Sequence, residues 1–167
     1  MILDEYSARV IREFYTHIGG APTRLQASTR YIDYEHGFNY IVPPTIKDDE
    51  GKMAIYDKTM NDIQTGLRLL DKLGVPREDS ALLLPLGMTT RIVVKINART
   101  LTDMSRQRMC SRAYWEFREL FNDIKTALSN YSKEWEEYCN LCFMPKCEFY
   151  GWCPEEKGCG LYPKKRE

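Results

Sequence analysis

Arginines are concentrated in one short segment of a chain that carries no net charge. Residues 105–118, SRQRMCSRAYWEFR, contain four arginines, whereas the 167-residue chain as a whole has 24 basic and 24 acidic residues. Residues 87–118 hold seven basic residues against only Asp103 and Glu116. A guanidinium donates paired N–H groups to a phosphate, a carboxylate or a pyrimidine carbonyl. The segment therefore indicates either an anion site or ion pairs across a helix interface.

Placed on a helix, the segment has two apolar faces. One face is predicted to pack into the core; it consists of Met109, Ala113, Phe117, Leu120, Phe121, Ile124 and Leu128. The opposite face sets Arg108 among Leu101, Met104 and Trp115. Because an unpaired buried arginine is costly, Arg108 should meet either a carboxylate or a bound anion. Two apolar faces also favour a homo-oligomer with Arg108 at or near a subunit interface, although a single chain that covers both faces is the alternative.

The six cysteines are unevenly distributed. Cys110 stands alone, and the other five have the spacing C-x2-C-x4-C-x5-C-x5-C between residues 139 and 159. This crowding, without a secretory signal, favours metal over disulfides, and four thiolates can hold zinc or an iron–sulfur cluster. We predict a metal-binding tail over residues 139–167, with free thiols or disulfides as the alternative. Its predicted ligands are Cys142, Cys147, Cys153 and Cys159, with Cys139 as an alternative ligand.

Composition restricts the class of protein. With 43% hydrophobic and 29% charged residues, the chain predicts one globular domain over residues 1–138, ahead of the tail. Zero net charge gives no reason to expect nonspecific binding to nucleic acid or to a membrane. No apolar run reaches the roughly 18 residues of a membrane span, and the amino terminus has no basic and apolar leader, so we expect a cytoplasmic protein.

Hydrophobic periodicity predicts the elements that position these residues. The predicted elements, in chain order, are a helix capped by Asp4 and ended by Gly19-Gly20, a loop over 21–31, a strand in 37–44, a long helix over 56–74, a short helix after Pro76, a strand over 89–98 and one principal helix over 99–130. Cys110 then lies in the middle of that last helix as a packing residue.

Two separated segments resemble the flavin-dependent thymidylate synthase family. Residues 84–120, LPLGMTTRIVVKINARTLTDMSRQRMCSRAYWEFREL, are similar to the carboxyl-terminal half of that family. Residues 27–31, ASTRY, resemble the end of its signature RHRxxSxNxxSxRY, and 37–44 resemble the strand that follows it. The likeness extends over about residues 10 to 130.

The resemblance implies a fold and a reaction. The family fold is α+β, a mixed sheet packed with long helices, assembled as a homotetramer with active sites shared between subunits. In that family reduced FAD passes a hydride to deoxyuridine monophosphate (dUMP) after methylenetetrahydrofolate has supplied a one-carbon unit, and NADPH reduces the flavin. The protein's tasks are to position the rings and to stabilise negative charge on the pyrimidine.

The resemblance also assigns residues. Ser28 and Arg30 match nucleotide contacts, Arg108 matches the arginine that holds and activates the pyrimidine, and Gln26 stands at a substrate-binding position. Asn97 and Arg99 match flavin contacts, and Asp103, also assigned to the cofactor, stands where the family often has an asparagine near the flavin. For three of these residues an ordinary structural role is the alternative: Ser28 as a turn residue, Asn97 as a helix N-cap and Arg99 as a solvated cation.

The chain departs from the family pattern at several positions. Ile18-Gly19-Gly20 replaces the signature Arg-His-Arg, and further replacements are Thr23, Leu25 and Ala81. Arg24, with a predicted cofactor contact, and His17 are candidates to substitute for the lost arginines. The chain also begins close to the signature, whereas the family has an earlier segment with flavin and folate contacts. Two other functions stay open: C5 modification of UMP or dCMP, and nucleotide or nucleic-acid binding without catalysis.

Overall fold

The computed structural model describes residues 1–17 and 23–165. The chain divides into two compact units, one made of Met1–Tyr15 and Arg24–Val94 and the other of Thr16–Thr23 and Lys95–Glu167. The predictions for Ile18, Gly19 and Gly20 lie outside the described residues. The α+β class is confirmed, since a small sheet is combined with many helices.

A three-stranded sheet organises the first unit. Its strands are β1 (Ile2–Ser7), β2 (Thr23–Gln26) and β3 (Thr89–Lys95), in the order β1-β3-β2. β1 and β3 are antiparallel, with Leu3 opposite Ile92. Alternate residues of β3 are buried, as the sequence pattern predicts for a strand with one covered face.

The amino terminus corrects the prediction of a helix capped by Asp4. Residues up to Ser7 form β1, and α1 (Ala8–Phe14) begins only after Ser7, whose hydroxyl accepts a hydrogen bond from Val10 N at 3.1 Å. β1 pairs with a strand about ninety residues later in the chain. Local periodicity cannot detect such a partner, so the helix predicted from the following residues begins too early.

The region around residues 21–44 also differs from its prediction. β2 lies within the segment predicted as a loop, where Ala27 N donates to the Arg91 carbonyl at 3.0 Å. The strand predicted in residues 37–44 is reduced to a single bridge between Tyr40 and Met88. After it come α2 (Pro44–Lys47) and the long helix α3 (Glu50–Lys72).

α3 confirms the prediction of a long amphipathic helix in this region. It begins after Asp49, whose side chain accepts from Lys52 N, and it is followed by Gly74 at a φ of +76°. Glycine reaches this left-handed conformation without steric cost, which explains why the helix ends there. α4 (Arg77–Ser80) and a short 3-10 turn (Ala81–Leu83) then lead to β3.

The second unit consists of helices. The single helix predicted over residues 99–130 is wrong, because the chain forms α5 (Ala98–Arg108), a turn, and α6 (Trp115–Ser129). The guanidinium of Arg108 lies 4.7 Å from the Phe117 ring centroid. Nine residues along one straight helix would separate them by roughly 13 Å on opposite faces. The turn at 109–114 makes the contact possible.

Two further helices complete this unit. α7 (Lys133–Cys142) packs against α6, and α8 (Lys146–Tyr150) packs against α5. Phe121 and Phe143 meet edge to face with ring centroids 5.8 Å apart, in a core that also includes Leu101, Met104, Phe117, Leu120 and Ile124. The boundary predicted at residue 138 lies inside α7, and it stays a prediction. Across the described ranges 1–17 and 23–165, no helix has the length and apolar character needed to cross a membrane.

Candidate active site

Arg108 is held in a defined position at the carboxyl end of α5. Its Nε donates to Nε2 of His17 at 2.9 Å, and Nη2 donates to the Thr16 hydroxyl at 3.4 Å. Since a guanidinium can only donate, the imidazole must accept, which requires a neutral His17 with its proton on Nδ1. The Phe117 ring also packs against the guanidinium, as its centroid lies 4.7 Å from the Arg108 Cζ. These contacts orient the arginine before any ligand arrives.

A cavity of about 330 Å³ opens beside Arg108. This size lies at the small end of the range for small-molecule sites, which is about 300 to 1,000 Å³. Asp103 faces the same space and also lies 3.9 Å from the Arg106 guanidinium. The lining residues are Thr16, His17, Thr100, Asp103, Met104, Gln107 and Arg108. Such a lining can donate to an anion or a carbonyl and can accept from an N–H group.

Asn97 and Arg99 lie at the other end of α5. Asn97 is the N-cap, and its Oδ1 accepts from Thr100 N at 2.8 Å, which confirms its structural role as a cap. Arg99 is exposed in the first turn. The flavin contacts assigned to both residues stay predictions.

In the first unit, Ser28 and Arg30 belong to one turn. The Ser28 hydroxyl accepts from Arg30 N at 3.4 Å, and its carbonyl accepts from Tyr31 N at 3.2 Å, so Ser28 does act as a turn residue. Arg30 lies 3.7 Å from a Glu78 carboxylate oxygen and 5.4 Å from the centroid of the Tyr31 ring. Both side chains are exposed, which leaves them accessible to a ligand.

Gln26 and Arg24 extend from β2. Gln26 is exposed at the end of the strand. Arg24 is half-buried, donates to the Tyr15 carbonyl at 3.4 Å and stacks on the Tyr15 ring at 4.9 Å. Its predicted cofactor contact stays a prediction, since its described neighbours are the residues at the end of α1.

A larger cavity in the first unit was not predicted from the sequence. It has a volume of about 770 Å³ and is lined by Glu5, residues 36–41, Gln64 and Thr89. Tyr40 donates to Asp57 at 2.9 Å, and Gln64 Nε2 donates to the Phe38 carbonyl at 3.2 Å, so α3 holds the loop 36–41 in place. Burial, followed by the hydrogen bond with Asp57, raises the pKa of Tyr40.

One signal for this cavity was present in the sequence. Gly37 adopts a φ of +92°, and a Cβ there would come within 2.7 Å of Gln64 Oε1. In the sequence, this glycine stands between His36 and the aromatic residues Phe38 and Tyr40, where a glycine can mark a turn in a left-handed conformation. Glu5 also lies on the cavity wall. Among the described residues it is the non-glycine residue with a positive φ, at 63°, and it stands beside the register shift in β1.

Three cysteines of the tail and Cys110 surround a small pocket in the second unit. Cys110, Cys147, Cys153 and Cys159 line one small pocket, together with Arg112 and Lys146, among others. The two remaining cysteines, Cys139 and Cys142, are not among its lining residues. All six cysteines are free thiols.

The protonation of these thiols depends on their surroundings. Burial is the main cause that raises the pKa of Cys147 and of Cys139. A hydrogen bond with Ser111 is the main cause that lowers the pKa of the exposed Cys159. Within residues 1–17 and 23–165, no group of three or more His, Cys, Asp or Glu side chains is arranged to hold a metal ion.

Together, the small sheet, its helices and the arginine-lined pocket define an α+β protein with a site suited to a small polar ligand. The thymidylate synthase complementing protein family matches residues 4–131, more than half of the chain. The chain belongs to this family.

Individual relatives agree with this assignment. A flavin-dependent thymidylate synthase of Nitratidesulfovibrio vulgaris is 31% identical over 151 residues, covering 84% of this chain and 60% of the relative. One from Sulfolobus acidocaldarius is 42% identical over 80 residues, covering 48% of this chain and 30% of the relative. The chain thus spans less than two thirds of the length of these relatives.

A solved structure shows the same fold. The UMP/dUMP methylase PolB from Streptomyces cacaoi, bound with 5-Br dUMP, superposes with a TM-score of 0.70. The match covers 85% of this chain and 70% of that chain, at 15% sequence identity. At this identity the likeness concerns the fold alone.

Proposed function

We propose that the protein is a flavin-dependent thymidylate synthase that converts dUMP to dTMP. The observation that carries the proposal is that Arg108, which the sequence resemblance matches to the family's pyrimidine arginine, lines a cavity together with His17. The family match over residues 4–131 includes both of these residues and the turn that holds Ser28 and Arg30.

Arg108 has the properties that this reaction requires of a catalytic residue. A C5 methylation passes through a pyrimidine that carries more negative charge than the substrate. A guanidinium that is already oriented by hydrogen bonds can stabilise this charge without reorganisation. We assign Arg108 and Ser28 as catalytic residues and assign substrate binding to Gln26, Ser28, Arg30 and Arg108.

The cofactor residues in the proposal have polar groups that face solvent. Arg99 and Asp103 are exposed, and the side-chain amide NH₂ of Asn97 can donate to a ligand while its oxygen caps α5. These groups fit the polar edge of a flavin, and Arg24 adds a half-buried cation in the first unit. Reduced FAD would supply a hydride, and NADPH is the proposed reductant of the flavin.

With methylenetetrahydrofolate as the one-carbon donor, the atoms and electrons of the proposed reaction balance. Methylenetetrahydrofolate would provide a CH₂ group to C5 of the pyrimidine, C5 would lose its proton, and the hydride from reduced FAD would complete the methyl group. The products are dTMP, tetrahydrofolate and oxidised FAD. The protein's part is to hold the pyrimidine with Arg108 and to exclude water from the reacting atoms.

A homotetramer with shared active sites belongs to the same proposal. Large apolar side chains are exposed in the first unit, on α3, at the residue that caps its carboxyl end and on the 3-10 turn that follows α4; they include Ile55, Leu69, Leu73 and Leu82. Such a surface supports association with further copies of the chain.

A second pyrimidine substrate is the main alternative. PolB, the methylase with the same fold, is named for UMP as well as for dUMP. The substitution of the signature Arg-His-Arg by Ile18-Gly19-Gly20 also favours a test of UMP and dCMP beside dUMP. Nucleotide or nucleic-acid binding without catalysis is the remaining alternative.

The deciding experiment combines flavin spectroscopy with product analysis. The purified protein is mixed with FAD, reduced anaerobically, and exposed to dUMP, UMP or dCMP with methylenetetrahydrofolate. The proposal expects reoxidation of the flavin that depends on dUMP, together with dTMP detected by mass spectrometry. A methylated product from UMP or dCMP alone would establish the alternative substrate, and flavin that neither binds nor responds would overturn the proposed activity.

A further inference from the structure

The turn between α5 and α6 brings Cys110 into contact with the tail. The prediction that Cys110 packs in the middle of a helix is wrong, because α5 ends at Arg108. Cys110 is half-buried in the turn, where its carbonyl accepts from Ala113 N at 2.8 Å. Its side chain therefore lines the same small pocket as Cys147, Cys153 and Cys159.

Backbone contacts fix the tail cysteines around this pocket. Cys147 lies in the first turn of α8 and is buried. Cys153 is also buried, and its N donates to the Pro163 carbonyl at 2.7 Å, within a bridge between Cys153 and Lys164. This bridge closes residues 153–164 of the tail into a loop that begins at Cys153.

Arg112 joins the tail to the turn. Its guanidinium donates to the Lys157 carbonyl, two residues before Cys159. A Cβ on Gly158 would lie only 3.1 Å from the Cys153 sulfur, so the chain passes closely over that thiol. Four cysteines from separate stretches of sequence are therefore held at one place as free thiols.

The composition of the pocket matches a soft metal centre. Four thiolates carry four negative charges. The pocket wall also includes the cations Arg112 and Lys146 and the carboxylate Glu155, so its other charged groups add one net positive charge that offsets part of the thiolate charge. A tetrahedral zinc site with Zn–S bonds of about 2.3 Å needs sulfurs roughly 3.8 Å apart. In the described residues no three such ligands are arranged for a metal ion. A four-iron cluster bridges its four cysteines through iron and sulfide, so the thiols that line this pocket need not converge on a single ion.

We propose that Cys110, Cys147, Cys153 and Cys159 bind one iron–sulfur cluster, with Cys110 in the place that the sequence spacing assigned to Cys142 or Cys139. The case for this site does not rest on the proposed methylation reaction, because none of the four cysteines lines the cavity beside Arg108. The cluster would connect the tail to the turn after α5 and contribute to the folding free energy of the tail.

The test measures metal without any nucleotide or flavin. The full chain is purified anaerobically, incubated with ferrous iron and sulfide, and desalted; iron, zinc and acid-labile sulfide are then quantified. The wild-type chain should hold about four irons and four sulfides if the cluster is of the four-iron type. Absence of bound iron, or one zinc per chain in place of iron and sulfide, would overturn the proposal.

Matched cysteine variants test the ligand set. Cys110→Ala should lower bound iron and sulfide severalfold, whereas Cys142→Ala, which removes a half-buried tail cysteine outside the pocket, should leave both unchanged. Circular dichroism at 222 nm establishes that both variants keep their helices. Retention of iron by Cys110→Ala, or its loss in Cys142→Ala, would contradict the assignment. Because the readout is chemical iron and sulfide, its failure is distinct from failure of dTMP formation.

Discussion

Arg108 shows how much of a residue's role depends on contacts that sequence alone does not reveal. Its helix position and apolar neighbours predicted either a carboxylate or an anion beside it. The structure places His17 there, 91 residues earlier in the chain, at 2.9 Å. The sequence identified both residues separately, one from the family motif and one as a substitute for the lost arginines. Only the tertiary fold brings them together.

Arg108→Ala should weaken nucleotide binding. Removing a guanidinium that meets a buried charge on the ligand costs roughly 2 to 4 kcal/mol of binding free energy. Isothermal titration calorimetry with dUMP would measure the loss, with Arg12→Ala, an exposed arginine of α1, as the matched control. An unchanged Kd in a folded Arg108→Ala protein would contradict the assigned role.

His17 should influence the same affinity through the orientation of Arg108. His17→Leu removes the acceptor for Arg108 Nε, whereas His17→Gln retains an acceptor. A typical hydrogen bond contributes about 0.5 to 1.5 kcal/mol, so the leucine variant should bind dUMP up to roughly tenfold more weakly and the glutamine variant less so. Equal affinity for dUMP in both variants and the wild type would show that this contact does not position the arginine.

At the scale of elements, helices and strands with a strong local pattern were predicted, whereas strands that depend on a distant pairing partner were not. α3 and β3 were predicted because their periodicity is long and their ends carry clear signals. β1 and β2 were missed because each is stabilised by pairing with β3, far away in sequence. The turn between α5 and α6 contains neither glycine nor proline, so no local signal indicated that a helix ends there.

Gly74 offers a test of the signal that ends α3. Its φ of +76° is strained for any residue with a Cβ, although no described atom lies within 4 Å of that position. Gly74→Ala should therefore lower the free energy of unfolding by about 1 kcal/mol. Gly66→Ala, inside α3 and in ordinary contact distance of Leu83, should raise it by up to about 1 kcal/mol.

Urea unfolding followed by circular dichroism measures both glycine changes in the same helix. The two variants should shift the midpoint in opposite directions. If Gly74→Ala is neutral, backbone conformation does not determine where α3 ends.

The ion pair between Asp4 and Arg91 connects β1 to β3 and should depend on pH. A hydrogen bond from Arg91 is the largest cause that lowers the pKa of Asp4 below its ordinary value of 3.8. The stabilisation is therefore complete above that value and is lost as the pH falls through the lowered pKa of the folded protein.

Asp4→Asn tests this pH dependence. The difference in unfolding midpoint between the variant and the wild type should be larger at about pH 7 than at about pH 2.5, with Asp48→Asn, an exposed carboxyl at the end of α2, as control. A constant difference across this range would mean that the pair does not contribute through its charge.

At the scale of the whole molecule, the family was predictable and the arrangement of the tail was not. The motifs at residues 27–31 and 84–120 are enough to recognise the family that matches residues 4–131. The tail lies beyond that match, and its cysteine spacing pointed to a metal without identifying Cys110. The fourth cysteine of the pocket comes from a turn that the periodicity concealed.

Shared active sites can be tested by complementation between inactive chains. Arg108→Ala and Ser28→Ala, co-expressed with different tags and purified as mixed oligomers, should regain about a quarter of the wild-type rate if a site takes these two residues from different subunits. Light scattering should give the mass of four chains. Mixed oligomers without dTMP synthesis would place both residues in the same subunit's site.

Arg108 and Cys110 lie on either side of Met109, the residue that caps the carboxyl end of α5. One side chain faces the cavity that we assign to the nucleotide, and the other faces the pocket of the tail. If both proposals hold, an oxidant that destroys the cluster would also release the end of α5 and change the orientation of Arg108. The supply of a DNA precursor would then fall under oxidative stress, before any damage reached the nucleotide site itself.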